Sequence, residues 1–126
     1  MRLIKEPERF DIVVTTNLFG DILSDETSQL VGGLGIAPSG NIGETTGLFE
    51  PVHGSAPKYA GKDTANPTAT FLSAAMMLDF LGEKEEGDRI RNSIFKTLSQ
   101  GKTTKDLGGN LGTLAYTDEV INNLGE

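Results

Sequence analysis

The segment FDIVVTTNLFGDILSDETSQLVGG, residues 10–33, decides the fold. Its first part, residues 10–17, is a β-branched run preceded by Pro7 and several charges, which predicts a buried strand of a parallel sheet. Apolar residues then recur at helical spacing over residues 18–31, and the pair Gly32-Gly33 ends that pattern. The segment therefore predicts a strand that leads directly into a helix.

The next segment, residues 32–63, is dense in glycine, proline, serine and asparagine, which predicts loops and short strands. Asn66-Pro67 is a strong helix start, with asparagine as the N-cap and proline at the first helical position, and Gly82 ends this helix. Apolar residues cover almost every face of the helix, so we expect it to be central in the fold.

Two more helices are predicted towards the carboxyl end. Residues 83–100 form an amphipathic pattern with many charges opposite an apolar face. That apolar face comprises Ile90, Ile94, Phe95 and Leu98. After the turn-like DLGGNLGT, residues 117–124 predict a short terminal helix with Thr117 as its N-cap.

The composition bounds the class of protein. The chain has 126 residues, 37% of them hydrophobic and 23% charged, which is typical of one soluble globular domain. A net charge of -7, with only 11 lysines and arginines, argues against nucleic-acid binding. No long apolar run occurs, and the opening MRLIKEPERFD has no apolar signal region, so we expect a cytoplasmic protein without a membrane span. The absence of cysteine excludes disulfides and thiolate metal sites.

Asp21 and Asp25 are the first candidate site residues. They lie four residues apart on the predicted helix, so both carboxylates project from one face and could reach one ion. Mg²⁺ or Mn²⁺ would suit them, because hard oxygen ligands favour these cations and water and substrate can complete the coordination. By spacing alone, a solvated helix face is the more common explanation of such a pair.

Four motifs along the chain favour a metal site over a solvated helix face for Asp21 and Asp25. They are NLFGDILSDETSQLVGGLG (residues 17–35), APSGNIGE (37–44), LFEPVHGSAPKYAGKDTANP (48–67) and TKDLGGNLGT (104–113). Together they resemble the carboxyl-terminal part of the isocitrate, 3-isopropylmalate and homoisocitrate dehydrogenases, the β-decarboxylating dehydrogenase family. The resemblance implies a three-layer α/β fold of which only the carboxyl-terminal part is present. It also implies that residues 1–31 end a dimer-forming substrate domain, and that residues 32–126 form half of the cofactor-binding domain.

The resemblance assigns Asp21 and Asp25 to a divalent metal, Mg²⁺ or Mn²⁺, that chelates the hydroxyl and carboxylate of the substrate. A third metal aspartate of the family precedes the position that matches Met1. The arginines that bind the substrate carboxylates, and the tyrosine and lysine that transfer protons, also belong to preceding segments. No catalytic proton-transfer residue is therefore expected in this chain.

HGSAPKYAGKDTAN, residues 53–66, is the second candidate site. Its small residues allow backbone to approach a ligand closely, although such a loop is by itself usually only a turn. The resemblance makes it the adenosine-side cofactor loop, with His53 beside the adenine, Asn66 at the adenine edge and Glu50 near the nicotinamide. The predicted cofactor residues are Glu50, His53, Gly54, Ser55, Ala56, Pro57, Lys58, Tyr59 and Asn66.

Lys58 and Tyr59 bear on the choice of cofactor. Members of the family that use NAD generally have an acidic residue followed by isoleucine here, and a lysine supplies the cation that a 2′-phosphate needs. NADP is therefore favoured over NAD. Lys105 and Gly109 depart from this pattern, because strongly NADP-selective bacterial members have tyrosine and arginine at these positions.

The resemblance implies part of an enzyme that oxidises and decarboxylates a 2-hydroxy acid. The substrate stays open among isocitrate, 3-isopropylmalate and homoisocitrate, because the helix that reads its variable group lies upstream in the family. The alternative is a truncated, noncatalytic nucleotide-binding or interaction module. We expect a homodimer, or association with the missing amino-terminal segment, and no activity of the chain alone.

Overall fold

The computed structural model describes residues 1–125, whose elements form two groups. The first group contains helix α1 (Arg2–Lys5) and helix α2 (Asn17–Ser28), which contact each other. The second group contains strands β1 (Pro38–Ile42) and β2 (Gly47–Pro51) and helices α3 (Thr68–Phe80), α4 (Lys84–Ser99) and α5 (Thr113–Leu124). Short 3₁₀ turns lie at Pro7–Arg9, Gln29–Val31, Pro57–Tyr59 and Lys105–Leu107.

Strands β1 and β2 form an antiparallel hairpin in which Gly40 lies opposite Phe49. The ring of Phe49 fills the space that side chains at Gly40 and Gly47 would need, since an added Cβ at Gly40 would lie 3.1 Å from the ring. The same ring meets Phe80 of α3 at a centroid separation of 5.7 Å. The hairpin thus packs on α3 through an aromatic pair that two glycines accommodate.

The helices stack in sequence order, with α3 on the hairpin, α4 on α3 and α5 on α4. Helix α3 has neighbours on two sides, which confirms the prediction of a central helix. The core between α4 and α5 contains Ile94, Tyr116 and Val120. Partly buried side chains around this core are Phe71, Leu72, Ile90, Leu98 and Leu111. Phe95 was predicted on the same face of α4 as Ile90, Ile94 and Leu98 but is exposed, whereas the other three pack in or against the core.

Most predicted helix boundaries hold to within one or two residues. The predicted start of α3 is one residue early, because Pro67 is the N-cap and the helix begins at Thr68. The side-chain oxygen of Asn66 nevertheless accepts a hydrogen bond from the Thr68 amide at 3.0 Å, as a capping side chain does. Gly82 has a positive φ of 86° and follows the end of α3. The 3₁₀ turn after α2 ends at Gly32, which is also left-handed.

The predicted start of the last helix at Thr117 is wrong. Helix α5 begins one turn earlier, at Thr113, and the Thr117 hydroxyl lies inside it, donating to the Thr113 carbonyl at 2.8 Å. The cap comes from a distant residue. The Asp63 carboxylate accepts the Leu114 amide at 2.8 Å, and the Asp63 carbonyl accepts the Thr113 amide at 3.2 Å.

The predicted strand over residues 10–17 is also wrong. Residues 10–16 form no helix or strand, and Ile12 and Val14 are 79% and 91% exposed. A strand needs a neighbour to satisfy its backbone hydrogen bonds, and the only sheet within residues 1–125 is the hairpin of β1 and β2. Helix α2 nevertheless begins at Asn17, next to its predicted start.

Across residues 1–125, every helix is too short or too polar to reach from one side of a membrane to the other.

Candidate nucleotide site and metal ligands

A cavity of about 670 Å³ lies between residues 53–66 and the turn at residues 104–109. Its lining combines small residues, which let a ligand approach the backbone, with several polar side chains. The lining residues are Leu34, Gly35, His53, Gly54, Ala56, Tyr59, Lys62, Thr64, Ala65, Asn66, Lys105 and Asp106. Five of the predicted cofactor residues are among them, namely His53, Gly54, Ala56, Tyr59 and Asn66.

The other four predicted cofactor residues, Glu50, Ser55, Pro57 and Lys58, do not line this cavity. The Lys58 ammonium lies 4.9 Å from the centroid of the Tyr59 ring, in a cation–π contact. Tyr59 itself lines the cavity, so Lys58 contacts a lining residue without lining the cavity. Glu50 is in strand β2 and is exposed.

Backbone conformation shapes the loop around His53. The His53 ring nitrogen Nδ1 lies 2.9 Å from the Gly54 carbonyl. Ala56 adopts a left-handed conformation with φ of 40°, which is costly for alanine and reverses the chain into the 3₁₀ turn Pro57–Tyr59. The loop thus has a defined shape that places Ala56 and Tyr59 on the cavity wall.

Asn66 and Asp106 connect the two walls of the cavity. The Asn66 amide nitrogen donates to the Asp106 carboxylate at 2.9 Å, while the Asn66 side-chain oxygen accepts from the Thr68 amide at 3.0 Å. The second carboxylate oxygen of Asp106 accepts from the Thr104 hydroxyl at 2.6 Å. Residues separated by 40 positions in the sequence therefore meet at the cavity.

Lys62 and Asp106 also line the cavity although the motifs did not indicate them as site residues, and Lys105 had entered only as a departure from the NADP pattern. Lys62 lies within the predicted loop sequence, so its membership could have been recognised. The contribution of Asp106 depends on a tertiary contact with Asn66, which no local spacing reveals. The structure therefore adds a carboxylate and two ammonium groups to the lining.

Tyr116 does not line the cavity but contacts Thr68, whose amide is bonded to Asn66. Its side chain is fully buried, and its hydroxyl oxygen accepts a hydrogen bond from the Thr68 hydroxyl at 2.9 Å. Burial raises the pKa of the Tyr116 phenol above its ordinary value, and the negative charge of Asp106 acts in the same direction. The Thr68 hydrogen bond opposes this shift. Tyr116 is therefore a neutral structural group at neutral pH.

Asp21 and Asp25 lie one turn apart on α2, as predicted, and both are exposed. They do not line the cavity described above. Residues 1–125 contain no cluster of three or more histidine, cysteine, aspartate or glutamate side chains that could hold a metal. Two carboxylates match Mg²⁺, which usually takes one or two protein carboxylates and keeps several waters, so the oxygen donors present fit such an ion.

The hairpin, its helical layers and the helix α2 define an architecture that is known from solved enzymes. The chain superimposes on the crystal structure of isocitrate dehydrogenase from Methylococcus capsulatus with a TM-score of 0.94, at 42% sequence identity. The match covers 99% of this chain and 38% of that one. The fold is therefore part of the isopropylmalate-dehydrogenase-like α/β fold, which confirms the fold prediction.

The amino-acid sequence matches the same class of enzymes as the fold does. The family model described as isocitrate/isopropylmalate dehydrogenase matches residues 1–124. This chain therefore belongs to the isocitrate/isopropylmalate dehydrogenase family, whose members are β-decarboxylating dehydrogenases, and the resemblance is confirmed.

Two relatives illustrate the range of the family. The chain is 62% identical over 121 residues to the isocitrate/homoisocitrate dehydrogenase of Thermus thermophilus, covering 96% of this chain and 36% of that protein. It is 57% identical over 126 residues to the 3-isopropylmalate/3-methylmalate dehydrogenase of Methanocaldococcus jannaschii, covering 100% of this chain and 38% of that protein. The chain thus spans little more than a third of the length of these relatives.

Proposed function

We propose that this chain supplies the adenosine-side nucleotide pocket and two metal carboxylates of an NADP-dependent dehydrogenase. The complete protein would oxidise and decarboxylate a 2-hydroxy acid, with isocitrate, 3-isopropylmalate and homoisocitrate as the candidates. The observation that carries the proposal is the cavity of about 670 Å³, to which five predicted cofactor residues contribute. Its volume falls in the range of small-molecule and cofactor sites, about 300–1,000 Å³.

The lining matches the chemistry of an adenosine moiety. Gly54 and Ala56 leave room for a flat base to approach the backbone, and His53 offers a ring beside it. Asn66 retains one amide hydrogen for a ligand after its contacts with Thr68 and Asp106 are counted. When bound, the dinucleotide would supply the acceptor for the hydride of the substrate.

Three lysines support NADP over NAD. Lys62 and Lys105 line the cavity, and Lys58 lies against the Tyr59 ring at its border. A 2′-phosphate is an anion that such ammonium groups bind by charge-assisted hydrogen bonds. The carboxylate of Asp106 offsets only part of this positive charge. The proposed cofactor is therefore NADP, with NAD as the alternative.

Asp21 and Asp25 would hold Mg²⁺ or Mn²⁺ between them. Each carboxylate would supply one or both of its oxygens. When bound, the metal would act as a Lewis acid towards the hydroxyl and carboxylate oxygens of the substrate. The side chains themselves provide negative charge on one exposed face of α2. Ligands from substrate, water and the remainder of the protein would complete the site.

Exposed apolar residues near this helix favour a second role, which is association with another polypeptide. Leu18, Phe19 and Ile22 of α2 are more than half exposed, as is Ile12 before it. A patch of this kind is typical of an interface. We propose that it is covered in a homodimer, or by the preceding part of the protein, in the cytoplasm. A noncatalytic nucleotide-binding or interaction module is the alternative that these surfaces also allow.

Cofactor preference tests the proposal. We expect NADP⁺ to bind more tightly than NAD⁺ to the 126-residue chain in calorimetry, and Lys58→Asp with Tyr59→Ile to reverse that preference. Losing one charge-assisted contact to phosphate costs about 1.5–3 kcal/mol, which is roughly ten- to a hundredfold in affinity. The control is Lys5→Asp, which makes the same change of charge in α1. An unchanged NADP⁺ to NAD⁺ affinity ratio in the double variant would exclude the assignment.

A further inference from the structure

We propose that Asp106 is a positioning residue for the nucleotide, which acts by holding the Asn66 amide and by joining the two walls of the cavity. This inference rests on the proposed nucleotide site. Asp106 lies in the motif at residues 104–113, which assigned it no role, and the role proposed here follows from three contacts. They are the hydrogen bonds from Asn66 and Thr104 and the close approach to Gly35.

The contacts of Asn66 fix which way its amide points. Its oxygen is required by the Thr68 amide, the first free N–H of α3, at 3.0 Å. Its nitrogen must then face Asp106, where the carboxylate accepts it at 2.9 Å. A side-chain amide can turn over to exchange oxygen and nitrogen, and this turn would bring the Asn66 oxygen against the Asp106 carboxylate. Asp106 therefore selects the orientation in which Asn66 caps α3 and presents its remaining N–H.

Asp106 also connects three separate segments. Thr104 holds one carboxylate oxygen at 2.6 Å, and Thr104 is itself fully buried. An added Cβ at Gly35 would lie 2.9 Å from the other oxygen, so glycine leaves space for the carboxylate. The Gly35 carbonyl in turn accepts the Ala69 amide at 3.0 Å. The arrangement makes Asp106 the common contact of the segments that carry Gly35, Asn66 and Thr104.

The charge of Asp106 argues for positioning over direct attraction. A carboxylate that lines the same cavity as Lys62 and Lys105 repels the phosphates of a dinucleotide. If charge were its contribution, removing it would strengthen binding. If geometry is its contribution, a neutral residue that can still accept from Asn66 preserves binding, whereas a residue without an acceptor weakens it. Asparagine and alanine separate the two cases.

The experiment measures NADP⁺ affinity by calorimetry for the wild-type chain, Asp106→Asn and Asp106→Ala. We expect Asp106→Asn to stay within about threefold of wild type and Asp106→Ala to bind about tenfold more weakly, the cost of losing one hydrogen bond to a charged group. Asp118→Ala is the matched control, because it removes an exposed aspartate of α5 that does not line the cavity. We expect its affinity to be unchanged.

A double-mutant cycle then tests whether Asp106 acts through Asn66. In an Asn66→Ala background, Asp106→Ala should weaken binding by less than about twofold, because the residue that it positions is gone. In ligand-free wild type, NMR should show distinct, slowly exchanging Asn66 side-chain amide resonances that Asp106→Ala abolishes.

The outcomes separate the two proposals. If wild type binds NADP⁺ and Asp106→Ala binds equally tightly, the role of Asp106 is overturned and the nucleotide site stands. Tighter binding by both Asp106 variants would also overturn positioning, in favour of simple repulsion. If wild type binds neither NADP⁺ nor NAD⁺, both proposals fail together.

Discussion

At the scale of single residues, the buried phenol of Tyr116 makes the free energy of unfolding sensitive to pH in the alkaline range. Because burial raises its pKa, the folded chain holds the phenolic proton more tightly than the unfolded chain does. The resulting stabilisation is complete below the unfolded pKa of about 10 and is lost as pH rises through the higher folded pKa. Tyr116 therefore links the integrity of the α3–α5 contact to its own ionisation.

We expect the free energy of unfolding to fall above about pH 10, and to fall less steeply in Tyr116→Phe, which cannot ionise. At neutral pH this variant should lose about 1–3 kcal/mol, because the buried Thr68 hydroxyl loses its acceptor. Urea unfolding between pH 8 and pH 11, followed by circular dichroism, measures both effects. Tyr59→Phe is the control, since Tyr59 is half exposed. Parallel curves for wild type and Tyr116→Phe above pH 10 would contradict the prediction.

The metal assignment also rests on two residues. We expect Mn²⁺ to bind the chain weakly, and Asp25→Asn or the double variant Asp21→Asn/Asp25→Asn to abolish that binding, because each carboxylate supplies both charge and a ligand atom. Calorimetry with Mn²⁺ makes the measurement. Glu26→Gln removes one charge from the residue next to Asp25 and should leave binding unchanged. Equal Mn²⁺ binding by wild type and the double variant would remove the site.

At the scale of elements, periodicity located the helices well and their ends less well. The pattern over residues 83–100 predicted α4 to within a residue at each end, because a solvent-facing and a core-facing side leave a clear signal. The start of α5 was misplaced because its cap, Asp63, is supplied from 50 residues away, at the amide of Thr113. Among residues adjacent in the sequence, Thr117 fits the pattern of an N-cap, so the local sequence indicates a helix start there.

Two neighbouring residues of α4 test which of its faces is buried. Ile94 is 4% exposed and lies in the core, whereas Phe95 is 74% exposed. We expect Ile94→Ala to lower the free energy of unfolding by about 2–5 kcal/mol, because it removes buried methyl groups and leaves a cavity. Phe95→Ala deletes a larger side chain but should change stability by about 0.5 kcal/mol or less. Chemical unfolding measures the free energy of unfolding of both variants. A larger loss of stability for Phe95→Ala than for Ile94→Ala would contradict the assignment of Ile94 to the core.

At the scale of the whole molecule, motifs identified the family but tertiary contacts defined the site. The quoted motifs predicted the fold and five lining residues of the cavity. The β-branched run over residues 10–17 predicted a strand, but residues 10–16 form neither helix nor strand, because β-branched residues indicate a strand without indicating its neighbour. The motifs also did not predict the contact between Asp106 and Asn66, because a contact between residues 40 positions apart forms only in the folded chain.

We expect the chain alone to form no NADPH from isocitrate, 3-isopropylmalate or homoisocitrate, even with Mn²⁺ and NADP⁺ supplied. General acid and base groups typically contribute about 10²–10⁴-fold each, and substrate positioning contributes further. The candidate metal carboxylates and the cavity lie in separate groups of elements, and the buried Tyr116 is unsuited to proton transfer. Absorbance at the NADPH wavelength is the measurement. Metal-dependent NADPH formation by pure chain would contradict the prediction.

The attachment of Asp63 to α5 has a consequence for how the molecule opens. The first amides of a helix normally lack partners and exchange their hydrogens with water quickly, yet Thr113 and Leu114 donate to Asp63, and the Thr113 hydroxyl donates to the Ala65 carbonyl. Those amides can exchange only when the segment around Asp63 moves away. Fraying of α5 and loosening of the loop that borders the cavity are therefore one event, and a ligand that immobilises the loop slows exchange in a helix that it never touches.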